Sequence, residues 1–429
     1  MILNLEEDKI RSHVGRDDLS VVKWRGQLSR RESGFRARSE AKKLASGAKL
    51  TMKKIAIVHD WLTGMRGGER CLEILCELYP EATLYTLLHN RGSVSETISR
   101  MHIRTSFVQK LPFVSSQYQK YLPLFPAAIE QFDLREYDLV ISSSHCVAKG
   151  VITTPETCHI CYCHTPMRYA WEMYYIYFSK NTVSPLFRWS IPFFMNYLRT
   201  WDERSSDRVD HFVANSENVK RRIGKHYRRQ AQVIYPPVDT DYFELTGQQG
   251  EYYLVASALV PYKRVDLAVA AFNELGRPLL VIGEGSEKKK LVRMARENVR
   301  FMDWQPRHRL KEYYQGCKAL IFPGEEDFGI VPVEAQACGK PVIAFGRGGA
   351  TESVRGTYPN QNMISLPTGV FFYPQTGEAL IEAVKFSDSA HLEPEVIRQH
   401  ALRFDQKVFR QRIKDFTEKK LEEHRKNPE

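Results

Sequence analysis

The stretch Phe322-Pro323-Gly324-Glu325-Glu326-Asp327-Phe328-Gly329-Ile330-Val331-Pro332-Val333-Glu334-Ala335 decides how this chain folds. The apolar run 319–322 has the length and composition of a buried strand. Pro323 and Gly324 end it with a turn. A helix over 332–338 follows, because Pro332 suits a first helical turn, where its missing N–H would be unpaired anyway. The N–H groups of Gly329, Ile330 and Val331 then point at whatever occupies the strand's end, which makes an anion site. Two carboxylates bracket it. Glu326 lies on the loop and Glu334 in the first helical turn, with seven residues between them. Spacing alone leaves two meanings open: a pair of ligand-holding carboxylates, or a solvated loop charge and a complement to the helix dipole.

Outward from this segment the chain alternates strands and helices. Strands are predicted at 55–58, 83–88, 138–142, 157–163, 211–214 and 232–234, with a helix from about residue 69 to 79 after the first. Tyr235-Pro236-Pro237-Val238-Asp239 interrupts the pattern, since each proline lacks an N–H and restrains its predecessor. The alternation then restarts, with strands at 252–257, 278–282, 299–302, 319–322 and 341–344 and helices at 264–275, 287–297, 307–315 and 332–338. From Glu393 onward the chain is charged and helical. This is an α/β pattern of parallel sheets covered by helices on both faces. Two Rossmann-like, doubly wound domains facing across a cleft are expected, over 53–236 and 237–405, with a terminal helix over 406–429 that packs back on the first domain. Ligands belong at the carboxyl ends of the strands.

Composition agrees with two domains. The chain has 429 residues, too many for one core, and 43% are apolar. The net charge of +11 favours anionic partners such as nucleotide diphosphates or acidic lipid headgroups. Residues 1–52 carry twelve Lys and Arg against seven Asp and Glu. Met52-Lys53-Lys54 runs straight into the first strand and reads as a natural start, with 1–51 a disordered basic extension or an untranslated leader. The longest apolar stretches are about half the ~20 residues of a membrane span. Eight scattered Cys suggest a reducing cytoplasm.

The acidic segment continues Ala337-Cys338-Gly339-Lys340-Pro341-Val342-Ile343-Ala344-Phe345-Gly346-Arg347-Gly348-Gly349-Ala350-Thr351-Glu352-Ser353-Val354. A Glu pair with seven residues between its members, a Gly-Lys-Pro-Val-Ile strand and a Gly-Gly-x-x-Glu turn together resemble the retaining family 4, or group 1, glycosyltransferases of the GT-B fold. The resemblance covers about residues 53–420 and runs closest to bacterial polysaccharide-assembly members, many of them mannosyltransferases. It implies a nucleotide-diphosphate sugar donor, with GDP-mannose the sugar nucleotide favoured, and a lipid-linked or saccharide acceptor. It implies that Glu326 meets sugar hydroxyls, that Glu334 holds the ribose, and that Asp327, Phe328, Gly329, Ile330 and Val331 surround the donor. Lys263 matches a family lysine on the donor phosphates. The family usually has an arginine five residues earlier, where this chain has Ala258, so Arg264 is the expected replacement. Gly283, in Gly283-Glu284-Gly285, matches a loop near the nucleotide. Gly67 and Gly68 match the loop facing donor diphosphate and acceptor. Asp60 is read either as an acceptor ligand or as a local cap. His164, in His164-Thr165-Pro166, matches a histidine near the transferred sugar. No cofactor, metal or protein nucleophile is implied.

Two other signals stand in the sequence. Cys158-His159-Ile160-Cys161-Tyr162-Cys163-His164 superficially suggests zinc, but alternate strand residues point to opposite faces, so buried thiols are expected. Residues 167–201 are crowded with aromatics and interleaved with Arg168, Lys180, Arg188 and Arg199. Core packing and an interfacial surface, peripheral on the inner face of an anionic membrane, both fit. No nucleic-acid module is recognisable. The alternatives to transfer are a nucleotide-sugar epimerase on the same fold, or a non-catalytic sugar-nucleotide-binding partner in a membrane assembly complex.

Overall fold

Buried parallel strands arise here because short β-branched and aliphatic runs are enclosed on both faces. The computed structural model describes residues 54–178, 189–248 and 250–426. The expected extension over 1–51 lies outside them. Residues 54–429 cluster as one unit built of two seven-stranded sheets, in which neighbouring strands pair in parallel among the described residues.

The first sheet holds β1 (Ile55–His59), β2 (Thr83–Thr86), β3 (His102–Thr105), β4 (Leu139–Ser144), β5 (Cys158–Cys163), β6 (His211–Ala214) and β7 (Ala231–Val233). Their spatial order is β3-β2-β1-β4-β5-β6-β7. Helix α1 (Gly67–Leu78) follows β1, α2 (Ile191–Ser205) precedes β6, and α3 (Glu217–His226) follows it. The second sheet holds β8 (Tyr253–Ala256), β9 (Leu279–Ile282), β10 (Val299–Met302), β11 (Ala319–Phe322), β12 (Val342–Phe345), β13 (Gly356–Thr357) and β14 (Gly369–Phe372), ordered β10-β9-β8-β11-β12-β14-β13. Helix α4 (Val265–Leu275) follows β8 and α5 (Ile330–Ala337) follows β11. In both sheets the order reverses next to the first strand, and a crevice opens beyond the carboxyl ends at such a switch point. This is the α/β, two-domain arrangement expected from the sequence.

Three strands escaped the pattern: β3, β13 and β14. β3 is an edge strand, largely exposed, with the sequence His-Ile-Arg-Thr, so it has no apolar run to read. Helix α5 begins at Ile330, two residues before the expected start. Pro332 still falls in its first turn, where no N–H is required.

The chain crosses between sheets twice, and the crossings lie side by side. Val238 N donates to Phe404 O at 2.9 Å, and Gln406 N donates to Val238 O at 2.9 Å. Thr240 Oγ1 donates to Asp405 Oδ2 at 2.5 Å. After the second crossing, α6 (Gln406–Lys426) returns to the first sheet, where Phe409, Ile413, Phe416 and Leu421 join the core of Ile57, Leu72, Ile141 and Tyr162. Each such side chain contributes about 1.5–3 kcal/mol when fully buried. Among the described residues, no helix is long and apolar enough to cross a membrane.

Candidate functional site

A cavity of about 700 Å³ lies between the two sheets. On the second sheet's side its walls are Tyr262, Lys263, Phe322, Glu326, Asp327, Phe328, Gly329, Ile330 and Val331. On the other side stand Gly67, Gly68, Glu69, His145, His164 and Arg168, with Trp61, Tyr118, Leu122, Phe125 and Tyr169 farther along. The structure therefore brings together His164, Lys263, Glu326, Asp327, Phe328, Gly329, Ile330, Val331, Gly67 and Gly68.

The turn after β11 is held by packing that only glycine permits. A Cβ on Gly349 would stand 2.2 Å from both Asp327 O and Phe328 Cα. Gly349 N donates to Glu326 O at 2.8 Å, so the Gly348-Gly349 turn serves as the seat of the acidic loop. Phe328 is buried and stacks on Tyr235 at 5.3 Å, which anchors the loop to the crossing. Gly329 adopts a φ of +91° and caps α5, turning the first N–H groups of that helix toward the cavity wall. The opposing turn is close: a Cβ on Gly67 would lie 2.8 Å from Ile330 Cδ1.

Charge concentrates on this loop. Lys263 Nζ contacts Glu326 Oε1. Asp327 receives two arginines from the first domain, Arg168 on Oδ2 and Arg222 on Oδ1. Arg168 also lies 3.9 Å from Glu326 Oε2. Burial, and then the Arg168 guanidinium, push Lys263 down to about 7, with Asp327 opposing. A helix N-terminus flanked by cations is a site for a multiply charged anion.

His164 closes the other wall at the carboxyl end of β5. Its Nε2 is hydrogen-bonded to Ser143 Oγ at 2.9 Å, and its carbonyl accepts from Asn215 Nδ2 at 2.9 Å. Burial, then His145 and His59, hold it down to about 3. It is a neutral imidazole at physiological pH, suited to hydrogen-bonding a hydroxyl and unsuited to donating a proton.

The remaining expected residues lie elsewhere. Arg264 takes a left-handed φ of +51° and turns to Asp266 at 3.2 Å and Gln375 at 3.3 Å. It lines a separate cavity of about 560 Å³, while Ala258 is exposed. Asp60 is buried, and its two oxygens accept the N–H groups of His145, Cys146, Val147 and Ala148 at 2.6–3.0 Å. It caps that loop rather than lining the cavity. Gly283 follows β9 and packs against the Ser257 backbone. Glu334 lies deeper along α5, where its Oε2 accepts the Tyr314 hydroxyl at 2.9 Å. Burial raises its pKa, against that hydrogen bond and the nearby Arg307 and Arg70. The His159 ring of the Cys/His strand is held internally, by Ser142 Oγ at 2.9 Å and Arg208 O at 3.1 Å. At the far end of β5, Cys158, Asp210 and His424 bring donor atoms within 4.8 Å of one another. Burial holds the Cys158 thiol up at about 12.

Two cross-domain contacts had no sequence signal. Glu352, of the Gly-Gly-x-x-Glu turn, accepts Glu217 N at 2.7 Å and Asn218 N at 2.9 Å, capping α3 from the opposite domain. Arg222, on α3, reaches Asp327, 105 residues away. The aromatic stretch divides. Trp171, Tyr174, Phe194 and Trp201 pack on the core, while Tyr175, Trp189, Phe193 and Tyr197 are exposed.

Residues 243–388 match the family model for glycosyl transferases group 1, and residues 65–242 match glycosyltransferase family 4. A glycosyltransferase of Methanocaldococcus jannaschii, itself uncharacterized, is 30% identical over 173 residues, covering 39% of this chain and 46% of that protein. A D-inositol 3-phosphate glycosyltransferase of Mycobacterium leprae is 27% identical over 180 residues, covering 36% of this chain and 42% of that protein. These matches thus span less than half the length of either curated relative. Among solved structures, sucrose-phosphate synthase of Thermosynechococcus elongatus aligns with a TM-score of 0.63 at 15% identity, covering 86% of this chain and 99% of that one. Anabaena HepE in complex with UDP aligns at 0.58 and 16%, covering 85% and 99%. These likenesses establish the fold. Two adjoining family models spanning residues 65–388, on a pair of facing Rossmann-like sheets, make this chain a member of the group 1, family 4 glycosyltransferases of GT-B fold.

Proposed function

We propose that the protein transfers a hexosyl group from a nucleotide-diphosphate sugar to a saccharide or lipid-linked acceptor, with retention of anomeric configuration. The observation that carries the reading is the convergence of Lys263, Glu326 and the N-terminus of α5 on one wall of the cavity, opposite His164 and the Gly67-Gly68 turn. The diphosphate fits the helix N-terminus and Lys263, where negative charge grows as the glycosidic bond breaks. Glu326 and neutral His164 offer hydrogen bonds to sugar hydroxyls. Glu334, carried one turn along the same helix, is the group offered to the ribose. The departing phosphate oxygen takes the acceptor's proton on the same face, so no side-chain nucleophile is called for.

The donor reading is tested by thermal shift with GDP-, UDP- and ADP-sugars. A ligand at 100 times its dissociation constant adds about 2.7 kcal/mol of stability. GDP-mannose is the favoured donor from sequence, while HepE was solved with UDP and with UDP-glucose. A response to UDP-glucose with none to GDP-mannose overturns the mannosyl reading. No response to any of them overturns the transferase reading. Product anomeric configuration, read by NMR, decides retention.

The acceptor is proposed to arrive from a membrane surface. Tyr175, Trp189, Phe193 and Tyr197 support this, as exposed aromatic rings on the chain stretch whose Tyr169 and Phe178 line the cavity. Flotation with anionic liposomes is the check. Trp189→Ser with Phe193→Ser is expected to reduce bound protein severalfold, and no binding by the wild type rejects the membrane reading.

A further inference from the structure

Neither Ala258 nor Arg264 gives the cavity a second cation beside Lys263, because the first has no charge and the second points into another cavity. The other domain gives two, the exposed Arg66 before the Gly67-Gly68 turn and the half-buried Arg168. The loop after β5 carries His164 and, four residues on, Arg168, and both side chains line the cavity. The Arg168 guanidinium lies 5.7 Å from the centre of the Tyr262 ring, and Lys263 Nζ lies 5.4 Å from the same centre. Two cations therefore flank one aromatic ring at the mouth of the α5 N-terminus.

Like charges placed so close in a low-dielectric cleft repel each other, and Arg168 is one of the groups that depresses Lys263. The carboxylates of Glu326 and Asp327 hold the two cations in place. Asp327 does not depend on Arg168. Its other oxygen is taken by Arg222, which is itself braced by Glu172 at 3.2 Å. Arg168 can thus leave Asp327 without leaving a buried carboxylate unpaired, which would be costly. A planar guanidinium also suits two phosphate oxygens at once, which an ammonium does not.

We infer that Arg168 is a diphosphate ligand delivered from the first domain, moving from Asp327 to the donor's phosphate oxygens when a nucleoside diphosphate enters. This deepens the function proposed above and rests on it. Donor binding would then add a tie to the cross-domain contacts of Glu352 and Arg222, since Lys263 and Arg168 grip one ligand from opposite walls.

The test is isothermal titration of the full chain with UDP and UMP, and with GDP and GMP, in wild type, Arg168→Ala, Arg168→Lys and Asp327→Asn. The readout is the ratio of the monophosphate to the diphosphate dissociation constant, which isolates the second phosphate. Arg168→Ala is expected to shrink that ratio about tenfold or more, on the scale of a charge-assisted hydrogen bond. Arg168→Lys, which keeps the charge and the packing, recovers part of it. Asp327→Asn leaves the ratio intact or raises it, because the resting partner is weakened. The inference is overturned by an unchanged ratio in both Arg168 variants. It is equally overturned if Asp327→Asn shrinks the ratio as much as Arg168→Ala does, since Arg168 would then act only as a strut between domains. A wild type that binds none of the four nucleotides sinks the proposed function instead.

Discussion

Lys263→Ala is expected to lower kcat/KM for sugar transfer by about 100- to 1000-fold, the scale on which removing one preorganised donor to a developing oxyanion acts. The reason lies in where the ammonium stands. It is among the cavity-lining residues, beside Glu326 and the N-terminus of α5, where the proposed reaction would bring the leaving diphosphate as its charge builds. The loss should fall mainly on kcat, because the interaction is stronger in the transition state than in the bound donor. A second signature comes from titration. Burial and Arg168 depress Lys263 to about 7. An anionic diphosphate beside it favours the charged form and raises its pKa. Binding above pH 7 must then take up a proton, so diphosphate affinity weakens as pH rises from about 7 toward the ordinary lysine range. Calorimetry in two buffers of different ionisation enthalpy measures that uptake. Lys263→Arg, charged at every pH, should abolish it. A fivefold or smaller loss in the alanine variant, or affinity flat from pH 6.5 to 9, rejects this role for Lys263.

How much of this was legible in the sequence follows from the range of the contacts. The alternation of short apolar runs with amphipathic helices needs only local information, and both sheets were readable from it. β14 is buried but follows a long stretch rich in glycine, proline and polar residues, so nothing local announced it. The acidic loop was readable because a strand end, a turn and a helix start lie within fourteen consecutive residues. Arg264 shows the limit of adjacency. Lys263 ends a short 3₁₀ turn, and the left-handed residue after it sends its side chain to the opposite side. From sequence Arg168 is only one cation among aromatics, because Asp327, its partner, is 159 residues away. From sequence Asp60 fits either cap or ligand, and what decides between them is the loop at 145–148, more than eighty residues on.

The same long range hides the residue whose loss should most damage stability. Lys149 is buried, with 1% of its side chain exposed, beside the fully buried Asp202 at 2.9 Å. Its ammonium donates to Asp202 O at 2.8 Å and Ser205 Oγ at 2.7 Å, and stands 4.9 Å from the centre of the Tyr227 ring. Asp202 Oδ2 in turn accepts Trp171 Nε1 at 2.8 Å and the Tyr227 hydroxyl at 3.0 Å. One ion pair thus fastens α2, the loop after β5 and the end of α3 to the first sheet. Lys149→Ala leaves the aspartate charged in a dry interior, and breaking a buried pair in this way costs about 3–5 kcal/mol. Urea unfolding followed by tryptophan emission reads the effect directly, since Trp171 and Trp201 both touch the network. The combined variant Lys149→Met with Asp202→Asn removes both charges while keeping much of the volume. It should be clearly more stable than Lys149→Ala, because the penalty comes from the orphaned charge and not from the lost attraction. A single variant within 1 kcal/mol of wild type, or a combined variant no better than the single, would show that water reaches Asp202 and that packing alone holds α2 in place. Since α2 also carries the exposed Phe193 and Tyr197, loosening it is expected to disturb the proposed acceptor surface before it disturbs the acidic loop on the opposite wall.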